Sequence, residues 1–438
     1  MERLTMVGVT HRGAALPLLE RVSVPRGHRA GLLLALHDSG CAEAVVLSTC
    51  SRTEVYARPT GDGPQGLLAV LGARAGSSAD ELRGCAEVRH GHAAIEHLFR
   101  VSAGLESRVI GEVEIQGQVR TSLREAQAAG MVGPLMSHLF PAALRCAAKV
   151  HAQTVLGSRG RSLGHRAVEV GLAALGGVVD PVIIVVGSGR MATTAVEHLV
   201  TQGRRPRVAA RNDAHAARLA GPGGVCPMSA LTTGVRQADL LICATSAAHD
   251  VVTLDHVREA MAARTRPLTV VDLSVPRNVD PAVAGVPGVT LIDLEGMNDG
   301  PVTDPLLAAS VQAGASIARA SAQRYAEMLA ARDVGPVLAA LRRRVEQACL
   351  ERLAGSVDGR GADPDQLARS ARAAAAKLLH QPTAVFRAAV LAGDSDSLTA
   401  LCRTVGVQVH DVVGAEPCAA KLRLPAQAPV PVAAQLVA

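Results

Sequence analysis

Aromatic residues are almost absent from this chain. Its 438 residues include no Trp, two Tyr and three Phe. Proteins that bind single-stranded nucleic acid without sequence preference stack the bases on aromatic side chains, so the composition argues against that kind of site. Any contact with RNA would use Arg, Lys and backbone shape, and the net charge of +6 is compatible with an anionic partner without requiring one.

The sequence also lacks the patterns of metal sites, disulfide frameworks and membrane spans. Its nine cysteines include no C-x-x-C pair, and no Cys/His set has metal-ligand spacing, so we predict no metal. The odd number of cysteines and the length of the chain argue against a disulfide scaffold. The N-terminus has no signal-peptide core, and no apolar run approaches the roughly 20 residues of a membrane span. We therefore expect a cytoplasmic protein without a membrane partner.

Cys50 stands just past a short apolar run, at 44–47, which predicts a buried strand. A loop at the end of a strand is a common place for reactive groups. Arg52 can hold the thiol as the thiolate, which is the nucleophilic form. The hydroxyls of Thr49 and Ser51 can orient an incoming carbonyl. The alternative is that Cys50 is one more small buried hydrophobe.

A glycine-rich turn follows a second apolar run, at 182–186, and precedes residues of helical character. Strand, turn and helix in this order are the context of a dinucleotide fingerprint. Gly187 permits the tight turn, and Gly189 lets the backbone approach a pyrophosphate, whose charge the helix N-terminus favours. The residues predicted to contact the cofactor here are Gly187, Ser188, Gly189, Arg190, Met191 and Ala192.

Arg211 distinguishes between two cofactors. It follows the next strand candidate, at 207–210. An NAD site usually has an acidic residue at this position, on the ribose 2′-hydroxyl, whereas the planar fork of Arg suits a 2′-phosphate. We therefore predict NADPH as the cofactor. The alternative is that Arg211 is a solvated loop residue.

Length and periodicity divide the chain into parts, and we expect two or three domains. Residues 1–155 mix strands and helices, which predicts an α+β domain. Residues 156–300 alternate the two, as a doubly wound, Rossmann-type parallel sheet requires. The predicted class is α/β, with an all-helical domain at 301–414 and a disordered tail at 415–438.

The helical domain is rich in Ala, Arg and Leu. We predict helices at 311–331, 337–354, 364–379 and 384–392, with Asp363 as an N-cap. Helices with so few aromatic residues form a poor independent core but pack well against a second copy, so we expect a homodimer. The arginines at 342–344 predict a solvated face, with contact to RNA phosphates as the alternative.

Several stretches of the chain resemble glutamyl-tRNA reductases, the first committed enzymes of five-carbon tetrapyrrole (porphyrin) synthesis. The stretch at 48–54 reads S-T-C-S-R-T-E, where that family usually has S-T-C-N-R-T-E. The other matching stretches are 8–12, 18–22, 97–107, 111–112, 117–120 and 272–281. The resemblance extends over residues 4–300 with its motifs in order, which makes it far more specific than a single glycine-rich turn.

The resemblance implies a covalent mechanism. Cys50 would attack the ester that joins glutamate to tRNA and keep the glutamyl group as a thioester. NADPH would then deliver a hydride and release glutamate-1-semialdehyde. The family also implies a homodimer with an N-terminal catalytic domain and a C-terminal dimerisation domain. Its partner enzyme is the glutamate-1-semialdehyde aminomutase, which takes the unstable product.

The resemblance further implies roles for individual residues. Arg52 would pair with the side-chain carboxylate of the substrate, and His97 would shuttle a proton. Without the resemblance, His97 would be placed on a helix surface. The remaining substrate-binding positions are Thr49, Cys50, Ser51, Ser107, Glu112, Val113, Glu114 and Gln118. Three further histidines are expected to be solvated: His11, His90 and His92.

This chain departs from the usual pattern at three places. Ser51 replaces an Asn, the usual Glu-Pro-Gln is E-V-E at 112–114, and the segment at 157–165 is more basic. Glu114 adds a negative charge, which would raise the pKa of the thiol or repel the substrate carboxylate. Two alternatives therefore stay open. One is a non-catalytic paralogue that binds tRNA or a partner, and the other is an NADPH dehydrogenase of a small carbonyl compound.

Overall fold

The first part of the chain forms an antiparallel sheet covered by helices. The computed structural model describes residues 4–60, 63–159, 162–297, 304–356 and 363–392. We call residues 4–159 the N-terminal domain. Its four strands lie in the order β2-β3-β1-β4. They are β1 (Thr5–Thr10), β2 (Cys41–Ser48), β3 (Arg52–Pro59) and β4 (Ala86–His90).

The strand β1, one of the two central strands of this sheet, is buried along its whole length. Glycine and proline set the limits of two helices of this domain, as the sequence predicts: Gly130 follows α6 with a positive φ of 72°, and Pro134 begins α7. The helices are α1 (Leu16–Val22), α2 (Arg26–Asp38), α3 (Pro64–Ala75), α4 (Ala79–Arg83), α5 (Gly91–Ser102), α6 (Glu114–Ala128), α7 (Pro134–Gln153) and α8 (Leu156–Arg159).

Residues 162–297, which we call the second domain, form a five-stranded parallel sheet in the order β6-β5-β7-β8-β9. The strands are β5 (Ile183–Val186), β6 (Arg207–Ala209), β7 (Leu240–Cys243), β8 (Leu268–Asp272) and β9 (Val289–Ile292). The helices are α9 (Leu163–Ala174), α10 (Arg190–Thr201), α11 (Asp213–Ala220), α12 (Leu231–Gln237) and α13 (Leu254–Ala262). The strand order reverses direction beside β5, and ligands of open α/β sheets bind at the carboxyl ends of strands at such a point.

The last described part of the chain is helical, and this confirms the predicted class of the C-terminal region. It contains α14 (Pro305–Ser356) and α15 (Pro364–Ala392). The amide of Asp365 donates to the Asp363 side chain at 3.0 Å, which confirms the predicted cap. The arginines at 342–344 are exposed. The predicted tail at 415–438, and the part of the helical domain from 393 onward, lie outside the described residues.

The predicted breaks within these two helices are wrong. We expected ends at 331 and 379, next to a Gly-Pro pair and to Pro382, yet α14 and α15 each continue through. Packing on both sides of the expected first break explains the difference, because it outweighs local propensity. Ala322 and Tyr325 are buried in the core of the N-terminal domain, and Leu341 is buried further along the same helix.

No helix within the described ranges is long and apolar enough to cross a membrane. The same residues contain no group of three or more His, Cys, Asp or Glu that could hold a metal ion.

Candidate active site

Cys50 lies in the turn of the β2–β3 hairpin, which confirms its predicted place after a strand. The amide of Thr49 donates to the carbonyl of Arg52 at 2.8 Å, and the amide of Ser51 donates to the Thr49 hydroxyl at 3.1 Å. The amide of His11 donates to the Ser51 carbonyl at 2.9 Å and ties the turn to β1. The Thr49 hydroxyl and the backbone hydrogen bonds therefore stabilise the turn. Cys50 is half-buried at its tip.

The surroundings of the Cys50 thiol favour its protonated form. Burial, followed by the carboxylate of Glu112, raises the pKa of Cys50 to about 11, and Glu114 adds to the rise. The raising effect of Glu114 agrees in direction with the prediction. The Ser51 hydroxyl, 3.7 Å from Sγ, has the opposite effect.

The cation that faces the thiol is Arg108, not Arg52. Arg108 lowers the pKa of Cys50, whereas Arg52 is engaged elsewhere, so the prediction that Arg52 holds the thiolate is wrong. The Arg52 guanidinium is buried, donates from Nη1 to Oε1 of Glu54 at 2.8 Å and contacts the carbonyl of Glu106 through Nη2. The predicted pairing of Arg52 with a substrate carboxylate stays a prediction.

His97 is buried beside the same carboxylate. Its Nε2 lies 2.9 Å from Oε1 of Glu54, and the Tyr56 hydroxyl donates to Oε2 at 2.7 Å. Burial alone would raise the pKa of Glu54, but the charges of Arg52 and His97 lower it well below its usual range. The placement of His97 on a helix surface is therefore wrong, because α5 directs it into the sheet. Its predicted proton-shuttling role stays a prediction.

Two further histidines differ from expectation. His11 is half-buried, and burial and then the neighbouring guanidinium of Arg108 lower its pKa to about 4. The Nε2 atom of His92 is also buried. The prediction of solvated side chains therefore holds only for His90, which is exposed.

Two of the predicted substrate residues, Glu112 and Glu114, act on the charge of the Cys50 thiol. Burial, and then the charge of Glu114, raises the pKa of Glu112 to about 7, while a hydrogen bond from Ser107 opposes the rise. Val113 separates the two acids and is half-buried, and Gln118 is half-buried one turn further along α6. The result is a pair of buried carboxyl groups beside a nucleophilic atom.

Glu114 reaches toward the second domain. Its side chain is 4% exposed, and burial raises its pKa although Arg190 opposes the rise. The Nε of Arg190 lies 3.9 Å from Oε1 of Glu114, which accepts no hydrogen bond from any residue that the structure describes. Arg190 is the first residue of α10, so this contact joins the acidic pair to the glycine-rich turn.

The glycine-rich turn has the backbone shape that a nucleotide site needs. Gly187 has a φ of +125°, and a Cβ added there would lie 2.3 Å from the carbonyl oxygen of Ala244, so only glycine fits. A Cβ at Gly189 would meet open space, which leaves room for a pyrophosphate at the N-terminus of α10. Ala192 is buried against the sheet. Ser188 and Met191 are half-buried. These residues fit a dinucleotide.

Arg211 is exposed beyond the end of β6, next to the buried Ala210. This is the end of the strand beside β5, where the ribose of a dinucleotide is bound in this fold. The position therefore allows contact with a 2′-substituent.

The nucleophile faces the second domain. Cys50 packs against an apolar cluster that combines Leu16 and Val109 with Leu273 and Leu294 of the second domain. The sulfur is therefore surrounded by residues of both domains.

Sequence reasoning missed two parts of this site. Arg108 directly follows the family-like stretch at 97–107, and a lone cation before an acidic pair was a usable signal. Glu20 receives three hydrogen bonds from Arg277, at 2.8, 2.8 and 2.7 Å, which join α1 to the loop after β8. Glu20 and Arg277 both lie in family-like stretches, but no local pattern predicts that these two residues meet.

Comparison with known families identifies the chain. Residues 7–154 match the model of the glutamyl-tRNAGlu reductase N-terminal domain, and residues 312–406 match that of the glutamyl-tRNAGlu reductase dimerisation domain. The two matches together span more than half of the chain. This protein belongs to the glutamyl-tRNA reductase family. Residues 171–299 match the shikimate/quinate 5-dehydrogenase model, whose nucleotide-binding fold implies a pyridine nucleotide cofactor.

Two of the similar solved structures are glutamyl-tRNA reductases. Glutamyl-tRNA reductase from Methanopyrus kandleri is 27% identical, with 93% of this chain and 99% of that chain covered and a TM-score of 0.43. The nucleotide-binding domain of the Thermoplasma volcanium glutamyl-tRNA reductase is 21% identical, with 31% and 88% covered and a TM-score of 0.24. A transhydrogenase from Sinorhizobium meliloti is 20% identical, with 36% and 51% covered and a TM-score of 0.26.

Membership of this family confirms the main interpretation of the sequence. The chain is an oxidoreductase with the domain architecture of the reductases that carry out the first step of tetrapyrrole synthesis. The predicted α/β class, with a parallel sheet and a helical C-terminal region, is confirmed as well. The dimerisation domain supports a homodimer.

Proposed function

We propose that this glutamyl-tRNA reductase transfers the glutamyl group from tRNA to Cys50 and reduces the resulting thioester with NADPH. The observation that carries the proposal is the position of Cys50. It lies half-buried at a hairpin tip and packs against the second domain, whose glycine-rich turn fits a dinucleotide. A dehydrogenase that reduces a small carbonyl compound directly has no use for a cysteine at this junction.

The first step is acyl transfer. The sulfur forms a bond to the ester carbonyl carbon, the bond from that carbon to the ribose oxygen breaks, and tRNA leaves with its hydroxyl restored. We propose that Glu112 accepts the thiol proton and passes it to the leaving oxygen. A carboxyl group with a pKa of about 7 is matched to such a transfer at neutral pH.

The second step is reduction. NADPH, when bound, supplies the hydride that adds to the carbonyl carbon of the thioester. The C–S bond then breaks, and the thiolate that is released takes up a proton. The apolar cluster around Cys50 excludes water and so protects the thioester from hydrolysis. The products are glutamate-1-semialdehyde and the oxidised cofactor.

Binding roles follow from the same arrangement. We propose that Ser107, Glu112 and Gln118 bind the ammonium group and polar edges of the glutamyl moiety, and that Arg52 pairs with its carboxylate. Thr49 and Ser51 hold the turn and contact the carbonyl. His97 supports Arg52 through the shared carboxylate of Glu54.

We further propose NADPH rather than NADH, on the position of Arg211 at the end of β6. Glutamyl-tRNA is the proposed macromolecular partner. An aminomutase that consumes the reactive aldehyde is the proposed partner enzyme, since an aldehyde bearing a free amine decomposes in water.

Trapping the acyl group tests the mechanism. The full chain is incubated with tRNA charged with radiolabelled glutamate, in the absence of NADPH, and the label is mapped after denaturation. We expect label on Cys50 that is released as product when NADPH is added. Cys50→Ser should carry none. Cys85→Ser is the matched control, because Cys85 is also a free, half-buried cysteine of the N-terminal domain.

Two outcomes would support the alternatives instead. Turnover of a small carbonyl compound that survives ribonuclease and Cys50→Ser would indicate direct reduction. Binding of charged tRNA with neither label nor product would indicate a non-catalytic paralogue.

A further inference from the structure

Arg108 is a buried cation at the junction of the two domains. It belongs to the segment between α5 and α6 of the N-terminal domain, and its side chain is 6% exposed. Its Nη1 donates a hydrogen bond of 2.7 Å to the carbonyl of Leu294, which follows β9 in the second domain. The guanidinium is therefore held in part by a domain to which it does not belong.

The same junction contains the nucleophile. Val109, the neighbour of Arg108, packs in the same apolar cluster as Leu294 and the Cys50 side chain, and Arg108 and Cys50 act on each other's charge. Charged groups face Arg108 from both sides. Cys50 and His11 do so from the N-terminal domain, and Asp293 and Glu295 from the second domain. The other charged groups that face Cys50 are Glu112 and Glu114, both acidic.

Separate contacts fix the two domains against each other. Arg277 donates to Glu20 from its amide, Nε and Nη2, and the amide of Leu16 donates to Oε1 of Glu295 at 2.7 Å. The charged partners of the first contact are half-buried, with exposed fractions of 24% and 16%. Neither Glu20 nor Arg277 is among the groups that act on the charge of Cys50, so a substitution of either removes no charge that acts directly on the sulfur.

We propose that Arg108 is a positioning residue that stabilises negative charge on the Cys50 sulfur, and that it does so only while the second domain is docked. In a dry junction the attraction between a guanidinium and a thiolate is strong. When the domains part, the Leu294 carbonyl is withdrawn and the long Arg side chain is released into water, where its effect is weak. Docking then both brings the hydride donor and prepares the nucleophile. The role in acyl transfer rests on the proposed function.

Alkylation of Cys50 by iodoacetamide measures the charge on the sulfur directly. The full chain is treated across a pH series without tRNA or nucleotide, and modification of Cys50 and Cys85 is quantified by mass spectrometry. We expect Arg108→Gln to slow the alkylation of Cys50 about tenfold at pH 8, as one pKa unit implies, and to leave Cys85 unchanged. Arg108→Lys keeps the charge and should recover part of the rate.

A second background tests the dependence on docking. Arg277→Gln weakens the contact with Glu20, and the effect of Arg108→Gln is then measured again. Comparison within each background cancels the change in burial that undocking itself causes. We expect the effect of Arg108→Gln to fall from about tenfold to threefold or less.

Three results would overturn the inference. One is an unchanged Cys50 rate in Arg108→Gln, another is an equal slowing of Cys50 and Cys85, and the third is the same effect in both backgrounds. If Arg108→Gln does not fold, Arg108→Lys is used in its place, and we expect it to slow the alkylation of Cys50 about threefold. The alkylation assay uses neither tRNA nor nucleotide. If acyl trapping fails while the expected changes in alkylation rate are observed, the proposed function is refuted and the inference about Arg108 is not.

Discussion

Glu112 offers a quantitative check of the site's electrostatics. Burial and Glu114 raise its pKa from 4.5 to about 7, so the folded chain holds the proton more tightly than the unfolded chain. The stability connected with this proton is fully present below pH 4.5 and is lost as the pH rises through 7. The difference in pKa corresponds to about 3 kcal/mol. Glu112→Gln removes the buried charge and keeps an oxygen that can accept from Ser107.

The assay is urea unfolding of both chains, followed by circular dichroism at two pH values. At pH 8.5 the carboxyl group of the native chain is ionised, and Glu112→Gln should be more stable by about 3 kcal/mol. At pH 5 most native molecules already hold the proton, and the gain should shrink to about 1 kcal/mol. Acyl transfer should be strongly impaired in the same variant, because the proposed proton acceptor is lost.

Glu106→Gln is the matched control. Burial would raise the pKa of Glu106, but Arg12 and Arg100, both of which contact its carboxylate, lower it. Its contribution therefore has the opposite sign, and Glu106→Gln should destabilise the chain at pH 8.5. The reasoning about Glu112 is refuted if Glu112→Gln gains equally at both pH values, or loses stability at pH 8.5.

The nucleotide site yields three further predictions. Gly187→Ala should lower the melting temperature, since the new methyl group would meet a backbone oxygen at 2.3 Å, whereas Gly189→Ala should leave it unchanged and weaken NADPH binding in a fluorescence titration. An unaltered melting temperature in Gly187→Ala would contradict the first. Arg211→Gln should weaken NADPH binding by tenfold or more and leave NADH binding unchanged, because one charged phosphate contact is lost; equal losses for both nucleotides would contradict the proposed cofactor preference.

Elements whose structure depends mainly on their own residues could be predicted from the sequence. The strands β5 and β7 are continuous apolar runs because a central parallel strand is covered on both faces. The turn at Gly187 needs a positive φ, which glycine supplies. By contrast, the single helix α14 depends on packing against the N-terminal domain, and no pattern around its internal Gly-Pro pair indicates that partner.

The same distinction between local and long-range causes applies to the candidate site. The grouping of Ser107, Glu112 and Cys50 followed from motifs that lie in order along the chain. The partners of Arg52 and His97 did not, since a buried cation next to a motif cysteine gives no sign that it faces away from the sulfur. Contacts between the two domains are harder still to predict from the sequence. Arg108 and Leu294 are 186 residues apart, and one of the two groups is a backbone carbonyl, which leaves no signal in side-chain identity.

Neighbouring groups partly offset the departures from the family pattern within this structure. Ser51 is shorter than the usual Asn, yet its hydroxyl still reaches the sulfur at 3.7 Å. Glu114 adds a negative charge, but Arg190 of the nucleotide turn faces it at 3.9 Å and lowers its pKa, and Arg108 supplies a second positive charge beside the thiol. Burial and the two carboxylates still raise the pKa of Cys50 to about 11, so the thiol needs a proton acceptor before it can attack, which is the role proposed for Glu112.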